Sequence, residues 1–182
     1  RRNLTNLSMG AAMTGEEMRA LEATATAVFE KLSSPGTYLS FTRGHDNYIS
    51  EPDFQASAVV QQVLDTCSSV GIALNYGAGC GVYLNLEHDN QHLIIKVGSH
   101  DHFEIICIQR GTVLNKPVER VVSTLEMAAS IGCIDFAISD QFGVITSSPA
   151  YVGTGMTVSA EVTSDRGRRS VISCPGDSFE RP

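Results

Sequence analysis

Apolar residues recur at helical spacing through Met18, Leu21, Ala25, Val28, Phe29 and Leu32. That period gives the first long element one buried face. Thr14 followed by Glu17 makes a capping box at its start, and Ser33-Ser34-Pro35-Gly36 breaks it. Residues 37–41 read as a short strand. Glu51-Pro52-Asp53 opens a second helix that runs to about residue 69, with Val59, Val60, Val63 and Leu64 on its apolar face and Gly71 at its end. The rhythm then changes. Gly77, Gly79 and Gly81 lead into three short apolar runs, 82–86, 93–97 and 103–108, separated by turns. This is the pattern of an antiparallel meander. Pro117 suits the first turn of a third helix, with Val118, Val121, Val122, Leu125 and Ala128 inside. Residues 142–146 and 156–162 read as two more strands. The segment 164–182 is polar, carries Arg166, Arg168 and Arg169, and reads as a loop or disordered tail. No internal repeat stands out. The order predicts an α+β fold, an antiparallel β-sheet flanked by helices.

Composition narrows the class. The chain has 182 residues, of which 42% are hydrophobic and 18% charged, as in one globular domain with a full core. No apolar run approaches the ~20 residues needed to cross a bilayer, and the N-terminus has no apolar signal-peptide region. It also has no initiator methionine, so a domain of a longer chain is expected. The net charge of −7 disfavours a nucleic-acid or anionic-membrane partner, since such binders are usually basic. The five cysteines (Cys67, Cys80, Cys107, Cys133, Cys174) are scattered and lack a CxxC pair. They fit reduced thiols in a cytoplasmic setting, not a disulfide framework or a zinc site.

Candidate chemistry is sparse when each motif stands alone. Gly153-Thr154-Gly155 lacks the Lys-Ser/Thr of a phosphate loop and the third glycine of a dinucleotide fingerprint, so it reads as a tight turn. Four histidines fall between His88 and His102. The strand after His92 sets it apart from His100 and His102 by roughly 20 Å at ~3.3 Å per residue, which argues against a shared metal. Cys80, between Gly79 and Gly81, has no basic neighbour in sequence to activate its thiol, and a small residue in a packed turn is favoured. The arginines of the tail form a solvated cluster.

Taken together, however, several stretches resemble one family. Thr146-Ser147-Ser148-Pro149-Ala150-Tyr151-Val152-Gly153-Thr154-Gly155-Met156-Thr157-Val158 resembles the T-x-C-P-[ST]-N-[LV]-G-T-G-[ML]-R-A signature of the ATP:guanidino phosphotransferases, the phosphagen kinases. Arg2-Asn3-Leu4 resembles the start of G-R-N-L, and Gly36-Thr37-Tyr38 resembles G-T-Y-Y. Gly79-Cys80-Gly81-Val82-Tyr83-Leu84-Asn85 resembles G-R-G-I-Y-H-N. Asp101-His102-Phe103-Glu104-Ile105-Ile106 resembles D-H-L-R-[IV]-I, and Asp140-Gln141-Phe142-Gly143 resembles D-x-L-G. These stretches fall in family order over residues 1–163. The resemblance implies a partial phosphagen-kinase catalytic-type domain of glutamine-synthetase-like fold, with residues 164–182 outside it. It also implies chemistry that moves the γ-phosphoryl of MgATP to a guanidinium nitrogen, which depends on cations placed around the phosphates.

The departures from the family pattern fall on those cations. Glu104 stands in place of the arginine of D-H-L-R, Thr157 in place of the signature arginine, and Cys80 in place of the arginine of G-R-G. Ser148 replaces the cysteine, Tyr151 the asparagine, and His100 the substrate-orienting glutamate. One arginine ~4 Å from a phosphate charge contributes about 4 kcal/mol at an effective dielectric near 20, and reversal to glutamate swings it by roughly twice that. Between Gly71 and Ala160 there are four Lys or Arg residues and eight Asp or Glu. The family's R-G-x-R-G-E-H and S-R-V-R segments have no counterpart in these residues.

The expectation is therefore a pseudoenzyme with no catalytic residue, no metal and no cofactor. Its former cleft is marked by Cys80, His100, His102, Glu104, Ser148, Gly153, Thr154, Gly155 and Thr157. It would bind protein partners in a larger cytosolic or cytoskeletal assembly, cilia included. The alternative is a phosphotransferase that uses MgATP/ADP and is completed by segments outside this chain. A module sensing a small non-phosphorylated molecule is a third reading.

Overall fold

The computed structural model describes residues 1–32, 36–58, 61, 74–88, 91–111, 115–132, 134–163 and 169–175. Helix α1 (Gly15–Phe29) begins at the expected box: Glu17 N–H donates to Thr14 Oγ1, and the Glu17 carboxylate accepts from Thr14 N–H at 2.7 Å. Four strands follow the apolar runs: β1 (Thr37–Ser40), β2 (Gly81–His88), β3 (Gln91–Val97) and β4 (Phe103–Gln109). They form one antiparallel sheet in the order β1-β2-β3-β4, the expected meander. Helix α2 (Glu51–Ala56) starts at Ser50 and stops at Ser57, whose extended backbone interrupts the single helix expected to run to about residue 69; Ala58 and Gln61 are helical again, and residues 59–60 and 62–69 lie outside the described residues. Helix α3 (Asn115–Gly132) carries Pro117 in its first turn.

Strand alternation divides the core between the two faces of the sheet. Tyr38, Tyr83, Leu93, Ile95, Val97 and Phe103 pack against Leu21, Ala25, Val28 and Phe29 of α1 and Ala128 of α3. On the opposite face, Val82, Leu84 and Ile94 pack with Phe41 and with Phe54 of α2. Burying each such side chain contributes roughly 1.5–3 kcal/mol, so both layers hold the meander flat against its helices. Glu22 is the one carboxylate of α1 turned into the buried layer, at 3% exposure. It accepts from Tyr38 Oη (3.0 Å), Ser40 Oγ and Thr42 Oγ1 (2.7 Å), which ties α1 to β1 and the turn after it.

Two further parts of the chain differ from the expectation. Residues 142–146 are not one strand. The hairpin is β5 (Ile138–Ser139) with β6 (Gly143–Val144), and Phe142 is exposed in its turn. An aromatic residue in a turn mimics a strand start in a one-dimensional pattern. The segment 164–182 is not all loop: β8 (Arg169–Pro175) pairs antiparallel with β7 (Thr157–Thr163) along its whole length. Hairpin pairing needs only backbone groups, so a run flanked by arginines and rich in serine hides it. Among the described residues no helix is long and apolar enough to cross a membrane.

Candidate functional site

The N-terminal residues run along the outer edge of β4. Arg2 and Phe103 exchange both backbone hydrogen bonds at 2.9 Å, and Ala137 N–H donates to Asn3 O at 2.8 Å. This places Asn3, fully buried, at the centre of a polar knot. Its amide donates to Asp101 Oδ1 (2.7 Å) and Ile145 O (3.2 Å), and its side-chain oxygen accepts from His102 N–H (2.8 Å). His102 is also fully buried. Leu4 N–H donates to its Nδ1 at 2.9 Å and its Nε2 lies 2.8 Å from Ser8 O, which fixes the proton on Nε2. Both ring nitrogens are thus committed to backbone, and His102 is a framework residue with nothing left for a substrate or metal.

The signature segment closes the other side. Its short helical turn Pro149–Tyr151 is followed by Gly153-Thr154-Gly155. Gly153 N–H donates to Val144 O (3.0 Å), Gly155 N–H to Tyr151 O (3.0 Å) and Met156 N–H to Thr154 Oγ1 (3.3 Å). These donors are taken up within the loop and by Val144, so the glycine loop is a structural turn, as its isolated sequence suggests. Its carbonyls hold the N-terminal segment. The Arg1 backbone nitrogen donates to Gly155 O (2.6 Å) and Arg2 Nη1 to Thr154 O (3.2 Å). Gly155, at φ 61°, has to be glycine here: a Cβ would meet Arg2 Nη1 at 2.7 Å and Arg1 O at 2.8 Å.

Four charged residues meet where these elements converge. The β3–β4 register sets Lys96 directly opposite Glu104. Lys96 Nζ lies 2.7 Å from Glu104 Oε2, and Arg1 Nη2 lies 2.8 Å from Glu104 Oε1. Arg1 Nη1 faces Asp101 Oδ2 at 3.6 Å, and the Arg1 guanidinium carbon sits 4.1 Å above the centre of the Tyr151 ring. Burial works to raise the Asp101 pKa. The hydrogen bonds from Ser147 N–H and Asn3, with the charge of Arg1, outweigh it and hold the carboxyl below its ordinary value.

The remaining cleft residues scatter around this cluster. Ser147 Oγ donates to His100 O, while the His100 residue is exposed. Ser148 caps the 149–151 turn with no side-chain hydrogen bond to it. Thr157 is exposed at the start of β7. Cys80 lies apart, its Sγ 2.9 Å from Gly98 O; burial, and after it the Glu22 charge, push the thiol pKa up. Among the described residues no three His, Cys, Asp or Glu side chains gather as a metal site requires. Sequence reasoning missed Arg1, Asn3, Lys96 and Asp101 as site residues. Lys96 had a legible signal: it is the one charge in an apolar strand, and a meander register places it across from Glu104.

With this geometry in hand, the relatives are informative. The pattern of the ATP:guanido phosphotransferase C-terminal catalytic domain matches residues 24–163, and the chain belongs to that family. It is 22% identical over 173 residues to an arginine kinase of Limulus polyphemus, covering 88% of this chain and 44% of that protein. The chain thus spans less than half the length of this relative. Its fold matches the duplicated taurocyamine kinase of Schistosoma mansoni with bound transition-state-analogue components (TM-score 0.69, 21% identity, 88% of this chain and 22% of that one). A lombricine kinase matches similarly (TM-score 0.68, 19% identity, 89% and 45%). The α+β class and the phosphagen-kinase resemblance read from the sequence are both upheld.

Proposed function

We propose that this domain keeps the phosphagen-kinase fold and does not transfer phosphate. One observation carries the reading: Glu104, at the position of a family arginine, is ion-paired at once to Lys96 and Arg1. A polyanion entering the cleft would meet a carboxylate, and the cations beside it are already neutralised. Arg2 is likewise spent on backbone carbonyls. The glycine-loop N–H groups described above already donate to protein oxygens, which takes them from the usual sources of phosphate contacts.

The role we assign instead is binding other proteins within a larger cytosolic or cytoskeletal assembly, cilia among them. The acidic balance of the chain supports partners other than nucleic acid. The test is a coupled assay of ADP release with MgATP and each of arginine, creatine, taurocyamine and lombricine. We expect no rate above the no-acceptor blank. Saturable, acceptor-dependent turnover would end the proposal.

A further inference from the structure

We propose that the β5–β6 hairpin is a docking surface for a basic amphipathic helix of a partner protein, seated on Ile138 and Phe142. The inference rests on the proposed partner-binding role and deepens it, because it names a surface and the chemistry of what covers it.

Among the described residues, the large apolar side chains left exposed are Tyr48, Val122, Ile138 and Phe142. Ile138 and Phe142 are the most open of them, at 64% and 57%, and they share one hairpin. Neither packs on either core cluster. One exposed apolar side chain is ordinary, whereas two on one short hairpin make a patch.

The hairpin holds them there firmly. Ser139 Oγ accepts from the N–H groups of Gln141 and Phe142, at 3.3 Å each, which fixes the turn. Gly143, at φ 73°, closes it, and a Cβ there would meet Gly153 O at 2.5 Å. Val144 and Gly153 exchange backbone hydrogen bonds at 2.8 and 3.0 Å, and Ala137 N–H donates to Asn3 O. An anchored turn loses little conformational entropy when a partner covers it.

The same bonds select the occupant. Backbone on both sides of the hairpin is already paired, so its side chains are what it offers, and not an edge for a partner strand. An amphipathic helix lays an apolar stripe on such a surface. The surroundings set the charge of that helix. Asp135 and Asp140, both exposed, flank Ile138. From residue 121 to residue 165 the chain has no Lys or Arg, against Glu126, Asp135, Asp140, Glu161 and Asp165. Arg2, on the neighbouring N-terminal segment, is directed to Arg1 O and Thr154 O. Lys or Arg beside the apolar stripe would therefore meet carboxylates, and one over the Phe142 ring would add a cation–π contact. The same carboxylates disfavour an anionic membrane.

The test is fluorescence anisotropy of a labelled, capped leucine–lysine peptide of about 14 residues with its leucines at helical spacing. We expect saturable binding, weakened about tenfold or more in the Ile138→Ser/Phe142→Ser double variant and unchanged in Tyr48→Ser. Asp135→Asn with Asp140→Asn should weaken it and lower its salt dependence. The leucine–glutamate counterpart should bind more weakly than the lysine peptide. No binding to the unaltered chain, equal binding by the folded double variant, or equal binding of the glutamate peptide would overturn the inference. So would sedimentation showing that the unaltered chain associates with itself through Ile138 and Phe142, since the occupant would then be a second copy. Should the double variant fail to fold, amide NMR of the unaltered chain with the same peptide still decides. Shifts centred on residues 138–142 support docking there, and shifts centred elsewhere contradict it. Phosphotransfer is read in the ADP-release assay on the same variants. Turnover there would end the no-transfer reading and leave peptide binding as it is, whereas lost peptide binding would leave that assay blank.

Discussion

At the scale of single residues, Glu104 and Asn3 govern the cleft in different ways. Glu104 pairs with both Lys96 and Arg1, the latter also facing Asp101, and its side chain keeps only 13% exposure. Breaking a buried pair by removing one partner costs about 3–5 kcal/mol. Glu104→Arg goes further, placing a third cation among two. We expect it to destabilise the fold by at least about 3 kcal/mol in urea unfolding, partly recovered by salt. An unchanged midpoint would mean that the ion network contributes little. Asn3 joins the N-terminal segment, β4 and the signature segment through one amide. Asn3→Ala leaves His102 N–H unsatisfied and takes one donor from Asp101, so a loss of about 2–4 kcal/mol is expected by the same measurement. The Glu104 substitution was legible in the sequence because it falls inside a recognisable motif. Asn3 was not, because nothing in a linear reading shows that residues 3, 101 and 145 meet.

At the scale of elements, α1 was the most legible, since its period and its capping box sit side by side in the sequence. Glu17 accepts backbone hydrogen bonds from Thr14 first and Ser8 next, which lower its pKa from 4.5 to about 2. A depressed carboxyl pKa stabilises the fold above its unfolded value, and that contribution fades as pH falls from about 4.5 toward 2. The lowered Asp101 acts with the same sign. Glu17→Gln should therefore flatten the acid limb of the stability–pH curve while changing its slope near neutrality little. An unaltered acid limb would contradict the role given to the cap. Thr14→Ala removes the other half of the box and should cost about 1 kcal/mol. The hairpins were less legible. β5 and β6 are two residues each, and β8 has no apolar alternation strong enough to separate it from a tail.

At the scale of the whole molecule, the core and the cleft tell different stories. The apolar residues of the sheet pack on both faces as the sequence pattern requires, and the family fold follows from them. At the family motifs one charge is reversed, since Glu104 stands where the family has an arginine, and the other departures are neutral residues. The motifs located the altered positions but displayed each as a loss. The structure shows what takes their place: Glu104 answers Lys96, and Tyr151 underlies Arg1. Such compensation depends on contacts between distant segments, and a motif cannot display it. The most direct measurement of the central claim is calorimetric titration of the chain with MgADP, alone and with nitrate and arginine present. No heat of binding and no rise in melting temperature is the expected result. Saturable binding strengthened by nitrate and arginine together would contradict it, because it would show a working phosphoryl-transfer site.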